Sequence, residues 1–305
     1  MSQVPGVLAR SCGPIFGDKV YYLWRGRRHW VPWAEWIRQI GRRFPEDVRG
    51  ISEEILLTYL PGHPVPLGRA EPLPENAVVG VMEAREIAAS QLSGAGLEIG
   101  AYASPFPVPL ECVVQYGDMY SYDELIANAY SGQLRHDIVM PSIRTDLDTL
   151  RGVEDSSLDF LVACHVIEHT RDPIGVIKRA YSKLRDGGSL VLVIPDKGRT
   201  FDRPRELTDL EHLIQDFESP SRERDQMHFR EFYSKAENFA VAPEKFDETW
   251  RTKWEEDFPI HFHTWTYESF RAMSEWTVKH AAPFKRIWSH PSVADGIEFY
   301  FTFVR

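Results

Sequence analysis

Residues 158–196 read LDFLVACHVIEHTRDPIGVIKRAYSKLRDGGSLVLVIPD, and this stretch decides the fold. Leu158–Cys164 is a short run with apolar residues on both faces, the habit of a strand inside a parallel sheet. Asp172-Pro173 supplies a helix start: an N-cap oxygen, then a proline whose missing N–H costs nothing at the first helical position. Ile174, Ile177, Tyr181 and Leu184 recur at helical spacing and predict one buried helix face. Gly187-Gly188 stops the helix, and Leu190–Ile194 is a second apolar strand. Strand, helical crossover and parallel strand make a βαβ unit. Its polar residues fall at the carboxyl ends of the strands: His165, Glu168 and His169 after the first, Asp196 and Lys197 after the second. Ligands of open α/β sheets bind outside those ends.

Composition narrows the class. The 305 residues suit one large domain and a small one, with 43% hydrophobic residues to fill the cores. A net charge of −10 argues against a nucleic-acid partner. Three widely spaced cysteines, Cys12, Cys112 and Cys164, fit buried thiols better than a disulfide framework. The first residues lack an apolar core of signal-peptide length, and no apolar run approaches the ~20 residues that span a bilayer. The expectation is a cytoplasmic protein without a membrane span.

Upstream, Lys19–Val31 predicts a hairpin turning at Arg25-Gly26, and Pro32–Ile40 a short helix stopped by Gly41. Ser52 is placed to cap another helix. Trp24, Trp30 and Trp33 crowd into ten residues. They form either a sugar- or peptide-binding surface edged by arginines or the core of a small module, and the module's size favours core. Pro61, Pro64, Pro66, Pro72 and Pro74 read as a semi-rigid linker, which places a small α+β module at 1–70 and the main domain at 71–305. Asn76–Ser93 is a helical pattern.

Leu97-Glu98-Ile99-Gly100 is a short strand with a turn that lets backbone approach a ligand. Pro105, Pro107 and Pro109 forbid an ordinary helix straight after it. Glu111–Tyr116 is the next strand, and Asp118 beyond it is placed to accept hydrogen bonds from ribose hydroxyls. Tyr122–Tyr130 reads as a helix and His136–Met140 as an edge strand; Asp146 or Asp148 is in reach of an adenine amino group. Past Asp196, the cluster Lys197, Arg199, Arg203 and Arg205 either holds a phosphate or uronate of a substrate or pairs internally with Asp202, Glu206 and Asp209. Ser219–Pro259 is charged and weakly periodic, part of an insertion over about 198–265 that covers the site, with Phe229, Phe232, Tyr233, Phe246, Trp250 and Trp254 as anchors. His261 and His263 stand two apart in an extended stretch, either a metal pair or one packed and one exposed histidine. A helix from about Tyr267 to His280 and a hairpin of Phe284–Ser289 with Gly296–Val304 close the chain.

From Leu97 onward this series resembles the class I S-adenosylmethionine-dependent methyltransferases. LEIG is similar to their first motif, Asp118 to the acid after strand two, Asp146-Leu147 to the adenine-contacting region, SLDFLVACHVIEHTRDP to the fourth-strand motif and LRDGGSLVLVIPDKGRTFD to the fifth. The resemblance implies an α/β, doubly wound, Rossmann-like and mostly parallel seven-stranded sheet with a C-terminal antiparallel hairpin. It implies S-adenosylmethionine held by Glu98, Gly100, Ala101, Asp118, Asp146, Leu147 and His165. The series is closest to a bacterial subgroup associated with surface-glycan biosynthesis. By that analogy the acceptor is a small-molecule or glycan hydroxyl, approached by Lys197, Arg199, Arg203 and His261.

A hydroxyl acceptor gains from a base, and His165, His169 and His263 are the candidates. Two other readings stay open. His165-x-x-Glu168-His169 matches the zinc pattern H-x-x-E-H, yet both histidines need one helix face and the helix starts only at Asp172. A divalent ion on those three residues is possible chemistry but is not expected. The second and third glycines of the first motif are absent, which leaves room for a degenerate scaffold whose N-terminal module docks a glycan or a protein partner.

Overall fold

The computed structural model describes residues 6–11, 13–66, 80–127 and 136–305. Cys12, the linker prolines Pro72 and Pro74 and the outer ends of two expected helices, 76–79 and 128–130, lie outside the described residues. The first sheet contains β1 (Val7–Arg10), β2 (Val20–Trp24), β3 (Arg27–Trp30), β4 (Arg49–Gly50) and β5 (Leu60–Pro61), in the order β4-β1-β2-β3-β5. β2 and β3 form the expected hairpin, with Arg25 (φ 50°) and Gly26 (φ 74°) both left-handed, the turn that matches strand twist. Ser52 Oγ accepts from the Ile55 N–H and starts α2 (Glu53–Leu57); α1 (Ala34–Gln39) precedes it. Tyr22, Trp36, Ile37 and Leu8 pack with Trp24 and Trp33 at their edge, so the aromatic residues largely build core. Trp33 Nε1 donates to Glu86 across to the main domain.

The second sheet follows α3 (Val81–Ala89). It comprises β6 (Ala95–Ile99), β7 (Val113–Asp118), β8 (Ile143–Arg144), β9 (Leu158–Cys164), β10 (Leu184–Pro195), β11 (Arg286–His290) and β12 (Glu298–Val304). Its order is β11-β12-β10-β9-β6-β7-β8, parallel from β8 to β10 and antiparallel at β12 and β11. Helices α4 (Tyr122–Ala127), α5 (Pro173–Lys183), α6 (Leu210–Glu218), α7 (Arg222–Lys235), α8 (Pro243–Glu255) and α9 (Tyr267–His280) complete it. Alternate residues of the central strands fill two cores. Phe160, Val162, Val191 and Val193 pack with α3, whereas Leu161, Ala163, Leu190 and Leu192 pack with α5 and α9. Asp172 Oδ1 caps α5 by accepting from the Gly175 N–H (2.7 Å).

Two elements differ from expectation. Residues 136–140 are not a strand: the Val139 N–H bonds the Tyr102 carbonyl, and pairing with β7 begins only beyond Pro141, at Ile143. Gly187-Gly188 does not stop the helix: α5 already ends at Lys183, and both glycines lie inside β10, which opens at Leu184. Residues 219–259, weakly periodic in sequence, hold α7 and α8, which pack together around Phe229, Phe232, Tyr233 and Trp250, with Phe246 and Trp254 at the edge. Their apolar stripe is narrow among many charges, which hid the period. Among the described residues no helix is long and apolar enough to cross a membrane.

Candidate active site

From β6 the chain runs to β7 and β8 on one side and then crosses to β9 on the other, so β6 and β9 flank the switch point where a ligand crevice forms. Gly100 turns the chain there with φ 72°, and its N–H donates to the Gly117 carbonyl (3.0 Å), holding the turn against β7. A Cβ on Gly100 would lie 3.0 Å from Val166 Cγ2. Tyr102 stands where a G-x-G loop has its next glycine, and it too is left-handed (φ 46°). The loop thus keeps a glycine-like turn without the glycine, at a strain of roughly 1–2 kcal/mol. Ala101 is buried beside it.

Glu98 is buried; its Oε1 accepts from the Phe106 N–H (2.8 Å) and its Oε2 has no partner among the described residues. Burial pushes this carboxyl up to about 8 against the pull of the Phe106 amide and Arg85. Asp118 ends β7, with Oδ1 accepting from the Tyr120 N–H (2.9 Å). Burial raises its pKa, opposed by the Tyr120 and Met119 amides. The next pair departs from expectation. Asp146 accepts from the Thr149 N–H (2.7 Å) and Oγ1 (3.0 Å) within its own turn, and the Leu147 side chain lies in the core. The pair offers a ligand mainly its main chain.

His165 follows β9 with φ 53°, a sharp turn for a residue with a side chain. Its Nε2 lies 2.7 Å from Glu298 Oε2 on β12, and its Nδ1 3.9 Å from Glu168 Oε1; the ring is one-third exposed. Arg85 grips Glu298 with two 2.8 Å bonds, and the Tyr300 hydroxyl adds a third donor (3.0 Å). Burial alone would raise Glu298, but Arg85 and His165 hold it down at about 2. Burial likewise opposes charge on His165, yet Glu298 and Glu168 outweigh it and raise its pKa above 6.5. Glu298 and Arg85 escaped the sequence reading. The one available signal was an acid opening the apolar run EFYFTFV.

Glu168 is fully buried and neither of its oxygens has a hydrogen-bond partner among the described residues. It belongs to a short 3₁₀ turn (Ile167–His169), not to a helix that carries both histidines of a zinc motif. His169 Nδ1 lies 2.9 Å from the Ile260 carbonyl, and His261 Nδ1 lies 2.6 Å from Asp202 Oδ2. Glu168, His169 and His261 bring ligand atoms within 4.8 Å of one another, with His261 where the sequence suggested His165. His263 is buried completely and faces His212, His228 and Asp216 instead. The two histidines of the H-x-H pair are thus both buried and serve different clusters.

The basic cluster is spent internally. Lys197 Nζ donates to the Arg203 carbonyl (2.9 Å), and Arg199 Nη1 to the carbonyls of Val293, Ala294 and Gly296. Arg203 pairs with Glu237, and Arg205 with Asp202 and Glu231. Of the expected acids only Asp202 takes such a role; Glu206 pairs with Lys235 and Asp209 caps α6. A cavity of about 280 Å³ lies instead between the first sheet and the loop after Gly100, with Tyr21, Trp30, Lys19, Arg28, Arg85 and Asp137 in its lining.

A doubly wound sheet with a turn glycine, strand-end acids and a histidine–carboxylate pair at its switch point defines an enzyme that binds a nucleoside-type cofactor. A family model described as a methyltransferase domain matches residues 82–275, well over half of the chain. The chain belongs to that family and is an S-adenosylmethionine-dependent methyltransferase. The crevice fits this cofactor: the unpartnered Glu98 oxygen suits an ammonium, and Asp118 suits hydroxyls. Among curated proteins no relative matches. Among solved structures, an S-adenosylmethionine-dependent methyltransferase of Thermotoga maritima, described as a possible histamine N-methyltransferase, is 14% identical over 73% of this chain and 86% of its own, with a TM-score of 0.39. An S-adenosylmethionine-dependent methyltransferase of Mesorhizobium loti is 12% identical over 75% and 100%, with a TM-score of 0.40. An arsenic(III) methyltransferase of Chlamydomonas reinhardtii is 15% identical over 69% and 62%, with a TM-score of 0.32. Nothing about the acceptor follows from likenesses this distant.

Proposed function

We propose that this enzyme methylates a hydroxyl oxygen of a sugar or related small molecule, with His165 as the base. The observation that carries the proposal is the His165–Glu298 pair at the end of β9. With Nε2–H donated to Glu298, Nδ1 is left to take a proton, and Arg85 and Tyr300 keep the carboxylate fixed. S-adenosylmethionine supplies an electrophilic methyl group on its sulfonium. The residues given to it are Glu98 for the ammonium, the main chain of Gly100, Ala101 and 146–147, and Asp118 for the ribose hydroxyls. What remains for the protein is alignment of the acceptor and exclusion of water. His169, His261, His263, Lys197, Arg199 and Arg203 already have partners within the chain and receive no direct role. Support for a sugar comes from the cavity beside Arg85, where the Trp30 and Tyr21 rings meet charged donors.

The test uses cofactor labelled with carbon-13 at the methyl group and a panel of free, nucleotide-activated and oligomeric sugars. The expected product has a methoxy carbon resonance coupled to a sugar ring proton. Label arriving on nitrogen or ring carbon, or on no hydroxyl of the panel, contradicts the proposal.

A further inference from the structure

Outside the crevice, two helices of the insertion and the segment before α9 converge on four side chains. His212 and Asp216 stand one turn apart on the same face of α6, His228 comes from α7, and His263 from the segment 260–265. Asp216 Oδ2 lies 3.0 Å from His212 Nε2, 3.7 Å from His263 Nε2 and 3.9 Å from His228 Nε2. The Nε2 atoms of His212 and His228 are 3.3 Å apart. All four residues offer ligand atoms within 4.8 Å of one another. Bonds of about 2.0–2.1 Å at tetrahedral angles place ligand atoms about 3.3 Å apart, and the observed separations bracket that value.

As protein contacts alone, these groups satisfy one another poorly. Among the described residues Asp216 Oδ2 has no hydrogen-bond partner despite the nearby His212, and His263 Nδ1 is buried without one. His263 Nε2 lies 3.2 Å from the Arg171 carbonyl. Arg224 Nε donates to Oδ1 (2.7 Å), which orients the carboxylate and leaves Oδ2 turned to the histidines. A cleft lined by Arg171, Asp172, Asp216, Pro220, Ser221 and Arg222 opens beside the cluster as an entry path.

We infer that His212, Asp216, His228 and His263 bind a zinc ion that fastens α6, α7 and the segment 260–265 together. Three imidazole nitrogens and one carboxylate oxygen fill four positions, which makes the site structural rather than catalytic. The inference does not depend on the acceptor proposed above. Methyl transfer takes no step through this ion.

The test is elemental analysis of the full chain, purified without a histidine tag and dialysed against metal-free buffer. About one zinc per chain is expected, and replacement by cobalt(II) should give the intense visible absorption of a tetrahedral site. His228→Ala should lose the zinc. The near-isosteric Asp216→Asn, which preserves packing, should yield it to a chelator that the unaltered protein resists. Absence of both zinc and the cobalt spectrum in the unaltered protein overturns the inference. So does full retention of zinc by folded His228→Ala, or chelator resistance in Asp216→Asn equal to that of the unaltered protein.

Discussion

His165→Ala lowers kcat by roughly 10²- to 10⁴-fold at saturating S-adenosylmethionine, the usual loss when a positioned base is removed. Cofactor affinity changes far less, because the ring's contacts run to Glu298 and Glu168. The pH profile carries a second signature. A base must start unprotonated, and the two carboxylates raise the His165 pKa above 6.5. In the unaltered enzyme kcat therefore climbs with pH through a limb above 6.5, and the residual activity of the variant lacks that limb. A variant that turns over at the normal rate with the normal pH limb refutes base catalysis by His165.

Glu298→Gln should destabilise the fold by about 3–5 kcal/mol, because it removes the buried carboxylate that holds the partly buried Arg85 guanidinium. Equilibrium urea unfolding at neutral pH measures the difference. The native pair also predicts the direction of pH dependence. The Glu298 pKa falls from 4.5 to about 2 on folding, so its stabilisation is complete above pH 4.5 and disappears as the pH drops toward 2. The His165 pKa is raised on folding, so its stabilisation is complete below pH 6.5 and is lost as the pH climbs through the raised value. The variant loses the first dependence and, with Glu168 still beside His165, keeps a smaller part of the second, and its kinetic limb moves to lower pH. A loss below 1 kcal/mol would contradict the buried, coupled geometry.

Local signals made much of this fold readable in advance. Asp172-Pro173 and the Ile174–Ile177 spacing specify the start and buried face of their helix, whereas its end falls at Lys183 and not at Gly187, and Arg25-Gly26 specifies its hairpin. The placement of Gly100, Asp118 and His165 was readable for the same reason: each sits at the carboxyl end of a strand. The partner of His165 was not, because Glu298 lies 133 residues away and reaches it through the pairing of Pro195 with Glu298 across β10 and β12. The missing glycine was misleading, since tyrosine at 102 gives no hint of a left-handed turn that the fold imposes. For the basic cluster after Asp196 internal pairing is the outcome, but mostly with partners other than those the sequence suggested. Asp202 and the Arg203 carbonyl are near in sequence, but Glu237, Glu231 and the carbonyls of Val293, Ala294 and Gly296 are remote. His212 and Asp216 carry a visible one-turn spacing, but only the packing of α7 and the segment 260–265 brings His228 and His263 to them.

Calorimetric titration with S-adenosylmethionine, on the unaltered protein and on Asp118→Ala, tests the central claim that the crevice at β6, β7 and β9 holds the cofactor. The account predicts micromolar binding and a loss of about 1.5–3 kcal/mol in the variant, roughly 10- to 150-fold, for hydrogen bonds to a charged acceptor. No binding by the unaltered protein, or equal affinity in the two, would contradict it.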